Sequence, residues 1–151
     1  HFMTKERFRT LLANGEIVEH TEYSGNYYGT LRSEIERVTG AGLDLILEIE
    51  VEGAMQIKNL YGDRAVLVML IAPDSTEQER RLRDRQTETE AVIRARLERT
   101  KYELSLAPRY EYIVVNETGR LTECAETLSH IIRASKQNRT RMQPVLDAYY
   151  E

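Results

Sequence analysis

The stretch Ala65-Val66-Leu67-Val68-Met69-Leu70-Ile71, closed by Pro73, is the clearest strand signal in this chain. A short, continuous apolar run of this kind is typical of a strand that is buried in a parallel sheet. Two further runs, residues 43–51 and 110–116, have the same apolar character. The sequence therefore predicts three buried strands.

Helical patterns separate these strands along the chain. They cover residues 4–13, 31–39, 53–60, 75–85, 87–106 and 121–150, with Pro144 as a candidate break in the last. Two of the helices begin with a predicted capping box, formed by Ser75 with Gln78 and by Thr87 with Glu90. Residues 17–22 read as a short strand and residues 23–30 as a tyrosine-bearing loop or hairpin. Strands that alternate with helices predict a layered α/β fold with parallel pairing.

Polar residues follow two of the predicted strands where ligands bind in such sheets. Glu48 and Glu50 lie near the end of one strand, and Asn116 ends another. The two glutamates are two residues apart, so they share one face of a strand. They are either solvated strand-end charges or a pair that faces a donor-rich ligand or a hydrated Mg²⁺ ion.

A second polar group surrounds the glycine-marked loop Gly25-Asn26-Tyr27-Tyr28-Gly29-Thr30. Glu19 precedes this loop, and its carboxylate can accept both the N1–H and the 2-amino group of a guanine. Thr30 offers a hydroxyl to the opposite edge of the base, and Tyr28 offers one to a phosphate. The alternatives are an ordinary surface charge for Glu19 and a packing role for the tyrosines, which is the preferred interpretation of Tyr23 and Tyr27.

Seven arginines lie on the two helices that the sequence predicts after residue 75: Arg80, Arg81, Arg83, Arg85, Arg94, Arg96 and Arg99. Arg81 and Arg85 are four residues apart and share a helix face. A helical hairpin of this kind is suited to clamp a polyphosphate as a mobile lid. The alternative is a solvated face that nearby acids neutralise: Glu77, Glu79, Glu88, Glu90 and Glu98.

Composition narrows the function classes. The 151 residues suit one domain, and a net charge of −4 disfavours a dedicated nucleic-acid binder. No apolar run approaches the length of a membrane span. The single cysteine, Cys124, excludes an internal disulfide, favours a cytosolic location and is interpreted as a helix core residue.

Taken in order and spacing, these residues resemble guanylate kinase along essentially the whole chain. The resemblance rests on the following residues and segments: Phe2, residues 5–8, 14–16, Glu19, 26–30, 47–54, 81–85, 87–89, 96–97 and 112–116. It implies a P-loop nucleoside monophosphate kinase-like fold with a parallel sheet flanked by helices. Within one domain of residues 1–151 it implies a GMP-binding subdomain (1–42), core strands and a helix (43–74), a lid with its adjoining helix (75–106), and a core strand with the C-terminal helix (107–151).

The resemblance also implies ATP-dependent phosphorylation of GMP to GDP with Mg²⁺. Glu19, Tyr28, Thr30 and Glu50 match the GMP-binding residues of the family. The matching catalytic residues are Arg81, Arg85, Arg96 and Glu48, the last also reaching the metal through water, and Asn116 matches a residue on the ATP side. GMP and ATP are the implied partners, without nucleic acid or membrane, and the implied location is cytoplasmic.

Two departures from the family affect these expectations. The family often has aspartate where this chain has Glu48 and Glu50. The chain also begins at His1 and contains no glycine-rich phosphate loop, so we expect it to start inside a longer protein, with the P-loop and first strand missing. The expected consequences are little or no catalysis by this chain alone and marginal stability. The alternative is a guanylate-kinase-like module that binds proteins and does not catalyse.

Overall fold

Each half of the structure contains one pair of β-strands. The computed structural model describes residues 2–23, 25–86 and 88–150, and the chain divides into two compact units, residues 1–65 and 66–151. The described strands form two separate two-stranded sheets, one in each unit.

The first unit consists of a hairpin and three helices. Its elements are α1 (Lys5–Ala13), β1 (Ile17–Tyr23), β2 (Asn26–Leu31), α2 (Arg32–Gly40) and α3 (Val51–Tyr61). Thr4 caps α1, as predicted, because its hydroxyl accepts a hydrogen bond from the Arg7 amide at 3.2 Å. The residues that the sequence assigned to a loop or hairpin are a hairpin, in which β1 and β2 pair antiparallel.

Two apolar clusters hold this unit together. Phe8, Leu11 and Ile17 form the first cluster, between α1 and the hairpin. The Tyr27 ring stacks on Phe8 with ring centroids 5.2 Å apart, so its predicted packing role is confirmed. The side chain of Tyr23 lies outside what the structure describes. The second cluster, Val18, Ile35 and Ile57, joins the hairpin to α2 and α3.

The strand predicted for residues 43–51 is wrong. Residues 43–50 form no ladder with any other described strand, and α3 already begins at Val51. A strand exists only where its backbone groups have a pairing partner, so an apolar run alone does not make one. The segment nevertheless alternates like a strand, because Leu47 and Ile49 are half-buried against the second cluster while Glu48 and Glu50 are exposed. The predicted common face of the two glutamates is therefore retained.

The second unit contains the parallel pair of strands. Its elements are β3 (Val68–Ile71), α4 (Ser75–Asp84), α5 (Glu90–Ser105), β4 (Tyr112–Val115), α6 (Leu121–Lys136) and α7 (Arg139–Asp147). The β3 and β4 strands pair in register from Val68 with Tyr112 to Ile71 with Val115, which confirms the predicted parallel sheet. Full burial of these strands is not observed, since Met69 and Val114 are buried but Leu70 and Ile113 are exposed.

The helix starts in this unit differ from the predicted capping boxes. Asp74, not Ser75, caps α4, and its carboxylate accepts a hydrogen bond from the Glu77 amide at 2.8 Å. Thr89 caps α5 through a bond from the Val92 amide, and the predicted cap Thr87 lies outside the described residues. Aspartate, serine and threonine are all good caps, so the sequence could not rank Asp74 against Ser75 or Thr89 against Thr87.

The C-terminal helical region breaks before Pro144, not at it. The α6 helix ends at Lys136, and Asn138 caps α7 by accepting a hydrogen bond from the Thr140 amide at 2.9 Å. Pro144 lies inside α7. A side-chain cap that starts a new helix therefore outweighs the proline signal. Cys124 is buried on α6, as expected.

Candidate functional site

The β1–β2 hairpin brings two of the predicted site residues together. Glu19 lies opposite Thr30 in the antiparallel ladder, and the Thr30 hydroxyl donates to Glu19 Oε1 at 2.6 Å. Glu19 is only 4% exposed, and among the described residues it is the one charged residue that is buried. The interpretation of Glu19 as an ordinary surface charge is therefore wrong.

The buried carboxylate of Glu19 has few protein donors. Within residues 2–23, 25–86 and 88–150, its one side-chain donor is the Thr30 hydroxyl, and no Lys, Arg or His side chain forms an ion pair with it. A buried carboxylate is costly unless it is hydrogen-bonded or paired. The remaining lone pairs on its two oxygens can accept N–H donors from a ligand.

The α3 helix closes over the same carboxylate. Gln56 Oε1 accepts a hydrogen bond from the backbone amide of His20, the residue after Glu19, at 3.3 Å. Gly53 lies one helical turn before Gln56, and its backbone faces the Glu19 carboxylate. Neither residue was predicted to belong to this site, because a glycine and a glutamine on a helix carry no distinctive signal in the sequence.

The other residues predicted to bind a substrate lie around this hairpin and helix. Tyr28 is 54% exposed and lies two positions before Thr30 on β2, so both side chains belong to the same face of the strand. Glu50 occupies the N-cap position of α3, where its carbonyl accepts from the Ala54 amide at 2.9 Å and its carboxylate makes no capping bond. Glu48 is exposed two residues earlier.

In the second unit, α4 and α5 form the predicted helical hairpin. Gln78 Nε2 donates to the Thr100 hydroxyl at 2.7 Å, and Leu82 and Ile93 are buried. This packing gives the arginines of both helices a common scaffold. The hairpin itself was predicted from the sequence.

Arg81 connects this hairpin to the end of β4. Its Nε donates to Glu77 Oε1 at 2.7 Å, and its Nη2 donates to the Asn116 carbonyl at 2.9 Å and to the Thr118 hydroxyl at 3.1 Å. The structure thus joins two predicted site residues, Arg81 and Asn116. The other two lid arginines are placed differently. Arg85 is the exposed C-cap residue of α4, while Arg96 forms an ion pair with Glu88 at 2.8 Å.

Acidic neighbours neutralise much of the arginine cluster. Arg80 pairs with Glu77 at 2.8 Å, Arg83 pairs with Glu79 at 2.7 Å, and Arg99 pairs with Glu103 at 3.0 Å. Four of the acids named from the sequence pair with arginines of the cluster: Glu77, Glu79, Glu88 and Glu90. A phosphate that binds Arg81 or Arg96 therefore competes with these acids for the guanidinium groups.

Glu77 is the most heavily bonded acid of the hairpin. It accepts from Arg80, from the Thr118 hydroxyl and from Arg81, and these bonds, in that order of importance, hold the pKa of its carboxyl well below the ordinary value of 4.5. A depressed pKa means that the folded chain favours the ionised form, so the network stabilises the fold at neutral pH. That stabilisation is lost as the pH falls from the ordinary pKa through the folded-state pKa.

Replacing Glu77 with glutamine is expected to flatten the acid limb of the stability profile. The wild-type chain should lose more stability than the E77Q variant as the pH falls below about 4.5. Urea unfolding at a series of pH values between 7 and 3 measures this difference. The exposed Glu126 on α6 supplies the matched control, E126Q, which should keep the wild-type slope. Identical slopes for wild type and E77Q would contradict the expected linkage.

Neither a metal-binding cluster nor a membrane-spanning helix is found in the described residues. The described part of the chain holds no cluster of three or more His, Cys, Asp or Glu side chains arranged for a metal ion. No helix within the described residues has both the length and the apolar character needed to cross a bilayer.

The chain is similar to proteins of one family over most of its length. The guanylate kinase family model matches residues 1–135. A guanylate kinase of Streptococcus thermophilus (strain CNRZ 1066) is 41% identical over 133 residues, which cover 88% of this chain and 62% of the relative. A guanylate kinase of Streptococcus mutans serotype c is 39% identical over 150 residues, covering 99% of this chain and 69% of the relative. The chain thus spans less than two thirds of the length of the S. thermophilus relative.

The fold leads to the same family. The crystal structure of guanylate kinase from Anaplasma phagocytophilum matches with a TM-score of 0.76 and 29% identity, covering 99% of this chain and 73% of that one. The predicted α/β kinase-like fold is thereby confirmed. The matched residues include the hairpin with its buried Glu19, the α3 helix and the arginine hairpin. This chain belongs to the guanylate kinase family.

Proposed function

We propose that the intact protein, as distinct from these 151 residues alone, transfers a phosphoryl group from ATP to GMP, forming GDP and ADP. The observation that carries this proposal is the buried Glu19 carboxylate, which has one hydroxyl donor and accepting positions left for a ligand. Membership of the guanylate kinase family supports the same reaction.

Guanine recognition is proposed for the first unit. The Glu19 carboxylate accepts the N1–H and the 2-amino group of the base, and such charge-assisted bonds in a buried site discriminate strongly against bases without those donors. Glu50 adds a second acid to the donor-rich edge. The Thr30 hydroxyl gives its one proton to Glu19 Oε1, so it presents only oxygen lone pairs to the base. The hydroxyl of the exposed Tyr28 donates a hydrogen bond to the GMP phosphate. Residues 1–42 would then be the GMP-binding subdomain.

Phosphate binding is proposed for the arginine hairpin. Arg81, Arg85 and Arg96 neutralise the charge that develops on the transferring phosphoryl group, and Asn116 lies on the ATP side. Phosphate oxygens compete with Glu77 for Arg81 and with Glu88 for Arg96. The attacking GMP phosphate oxygen is already anionic, so positioning and charge neutralisation suffice without a strong general base. Residues 75–106 would then be the lid.

Mg²⁺ is proposed to accompany ATP. Mg²⁺ in such sites is held by one or two carboxylates and by substrate phosphates, and it keeps several waters. The exposed Glu48 carboxylate would hold such an ion through water. When bound, the ion neutralises phosphate charge.

We also propose that these 151 residues alone transfer phosphate slowly or not at all. Their sequence contains no Gly-x-x-x-x-Gly-Lys-Ser/Thr motif, whose backbone amides and lysine organise the ATP phosphates in P-loop enzymes. GMP recognition, in contrast, uses residues that are present.

Calorimetric titration of the chain with GMP, with AMP as the control nucleotide, tests the proposal. GMP-selective binding together with negligible ATP/GMP turnover is the expected result. A chain that is folded by circular dichroism and binds neither nucleotide would overturn the recognition proposal and favour an interaction module. Turnover equal to that of a complete guanylate kinase would overturn the proposal about the isolated chain.

A further inference from the structure

Gly53 lies where a side chain would collide with the carboxylate of Glu19. A Cβ atom built on Gly53 would be 2.6 Å from Glu19 Oε2, far inside van der Waals contact. Its next neighbours, Glu19 Cδ and Ile49 Cβ, are both at 3.5 Å and would be ordinary contacts. The space that glycine leaves open is therefore occupied by one specific atom, an oxygen of the buried acid.

The α3 helix has little freedom to withdraw from the hairpin. Gln56, one turn after Gly53, accepts the His20 amide at 3.3 Å. Ala54 and Ile57 on the same helix are buried, and Ile57 packs against Val18 of β1. A side chain added at residue 53 would project from this fixed helix against the flexible end of Glu19. The carboxylate is the part that would move.

We propose that Gly53 is a positioning residue that sets where the Glu19 carboxylate lies and thereby determines discrimination for guanine. Thr30 holds Oε1 by a 2.6 Å hydrogen bond, and the absence of a side chain at residue 53 gives Oε2 its place beside α3. Together the two residues fix both oxygens of the acid. The inference deepens the proposed function and rests on it for the identity of the ligand.

If the fold itself required glycine at residue 53, alanine there would destabilise the chain, but the geometry predicts no such loss. Gly53 lies inside a regular helix and has no positive φ, a position where alanine normally strengthens the helix. Gly29 offers the contrast, because a Cβ there would be 2.6 Å from the Glu19 backbone oxygen, which cannot swing away. Alanine at residue 53 should therefore leave the chain folded while moving the acid.

The test compares the variants G53A and G40A of the 151-residue chain. Gly40, at the end of α2, is the matched control, since a Cβ there would meet nothing within 4 Å. Titration with GMP and with inosine monophosphate, which lacks the 2-amino group, measures discrimination. G53A is expected to weaken GMP binding about 10-fold or more, with a smaller loss for inosine monophosphate. G40A should match wild type, and neither variant should have a lower melting temperature.

A double-mutant cycle with E19D separates positioning from a general packing defect. Aspartate withdraws the carboxylate by one methylene, so adding G53A to E19D should cost little GMP affinity, whereas G53A alone costs about 10-fold. Equal losses in both backgrounds, or wild-type GMP affinity in G53A, would overturn the inference.

A ligand-free measurement keeps this inference distinct from the proposed function. The ¹³C shift of the Glu19 carboxyl carbon and the hydroxyl proton of Thr30 report their hydrogen bond in solution. Loss of that bond in G53A but not in G40A supports the positioning role even if wild type fails to bind GMP, a failure that would count against the proposed function alone. An intact Thr30–Glu19 bond and an unmoved carboxyl shift in G53A would overturn the positioning role.

Discussion

Replacing Glu19 with glutamine is expected to weaken GMP binding by at least about 100-fold. The variant keeps the size of the side chain and one oxygen to accept from Thr30. It loses the negative charge, and its amide N–H groups cannot accept the N1–H or the 2-amino group of guanine. The proposed recognition of guanine would therefore lose two charge-assisted hydrogen bonds.

The effect should be confined to binding. A buried carboxylate with one hydroxyl donor is costly to the folded chain, so a neutral side chain of the same shape should not lower the melting temperature. Titration calorimetry with GMP measures affinity, and circular dichroism measures stability. The E22Q variant is the control, because Glu22 is an exposed glutamate on the same strand. Equal affinity of E19Q and E22Q would refute the assigned role of Glu19.

Replacing Phe8 with alanine should produce the largest loss of stability, about 3–5 kcal/mol in the free energy of unfolding. Phe8 is 6% exposed, packs with Leu11 and Ile17, and stacks on the Tyr27 ring. Its removal leaves a cavity between α1 and the hairpin, whose wall also contains Gly29 with its close contacts. A domain of this size is stabilised by only about 5–15 kcal/mol, so the variant would be close to unfolding.

The only other phenylalanine of the chain supplies the control for this experiment. Phe2 is fully exposed, so F2A should change the free energy of unfolding by less than about 0.5 kcal/mol. Urea unfolding followed by circular dichroism measures both variants. Equal losses for F8A and F2A, or a loss below about 1 kcal/mol for F8A, would show that the first cluster is not part of the stabilising core.

Local chemistry explains the predictions that agree with the structure. The cap at Thr4, the helices α4 and α5, and the apolar runs that become β3 and β4 are indicated by local side-chain chemistry and by runs of one residue type. These signals are complete within about ten residues of sequence. The family resemblance is likewise carried by short motifs, and the family model and the relatives confirm it.

The misassigned strand shows where local signals end. Residues 43–50 have the apolar pattern of a strand, and Leu45, Leu47 and Ile49 pack against the second cluster. Whether such a segment joins a ladder depends on a second segment, which its own sequence does not specify. The break at Asn138 has a different cause. Two local signals, the Asn138 cap and Pro144, were both present, and the sequence did not show which one ends the helix.

The residue pattern alone predicts the alternation of helices and strands, the arginine hairpin, and the acids and hydroxyls that make guanine the expected ligand. The burial of Glu19, the hydrogen bond from Thr30 and the room that Gly53 leaves for the second carboxylate oxygen are seen only in the folded chain. The same is true of the bonds from Arg81 to Glu77 and to the Asn116 carbonyl. These contacts join residues that are distant along the chain. Glu19 and Gly53 are far apart in sequence, so their contact arises only when α3 packs on the hairpin.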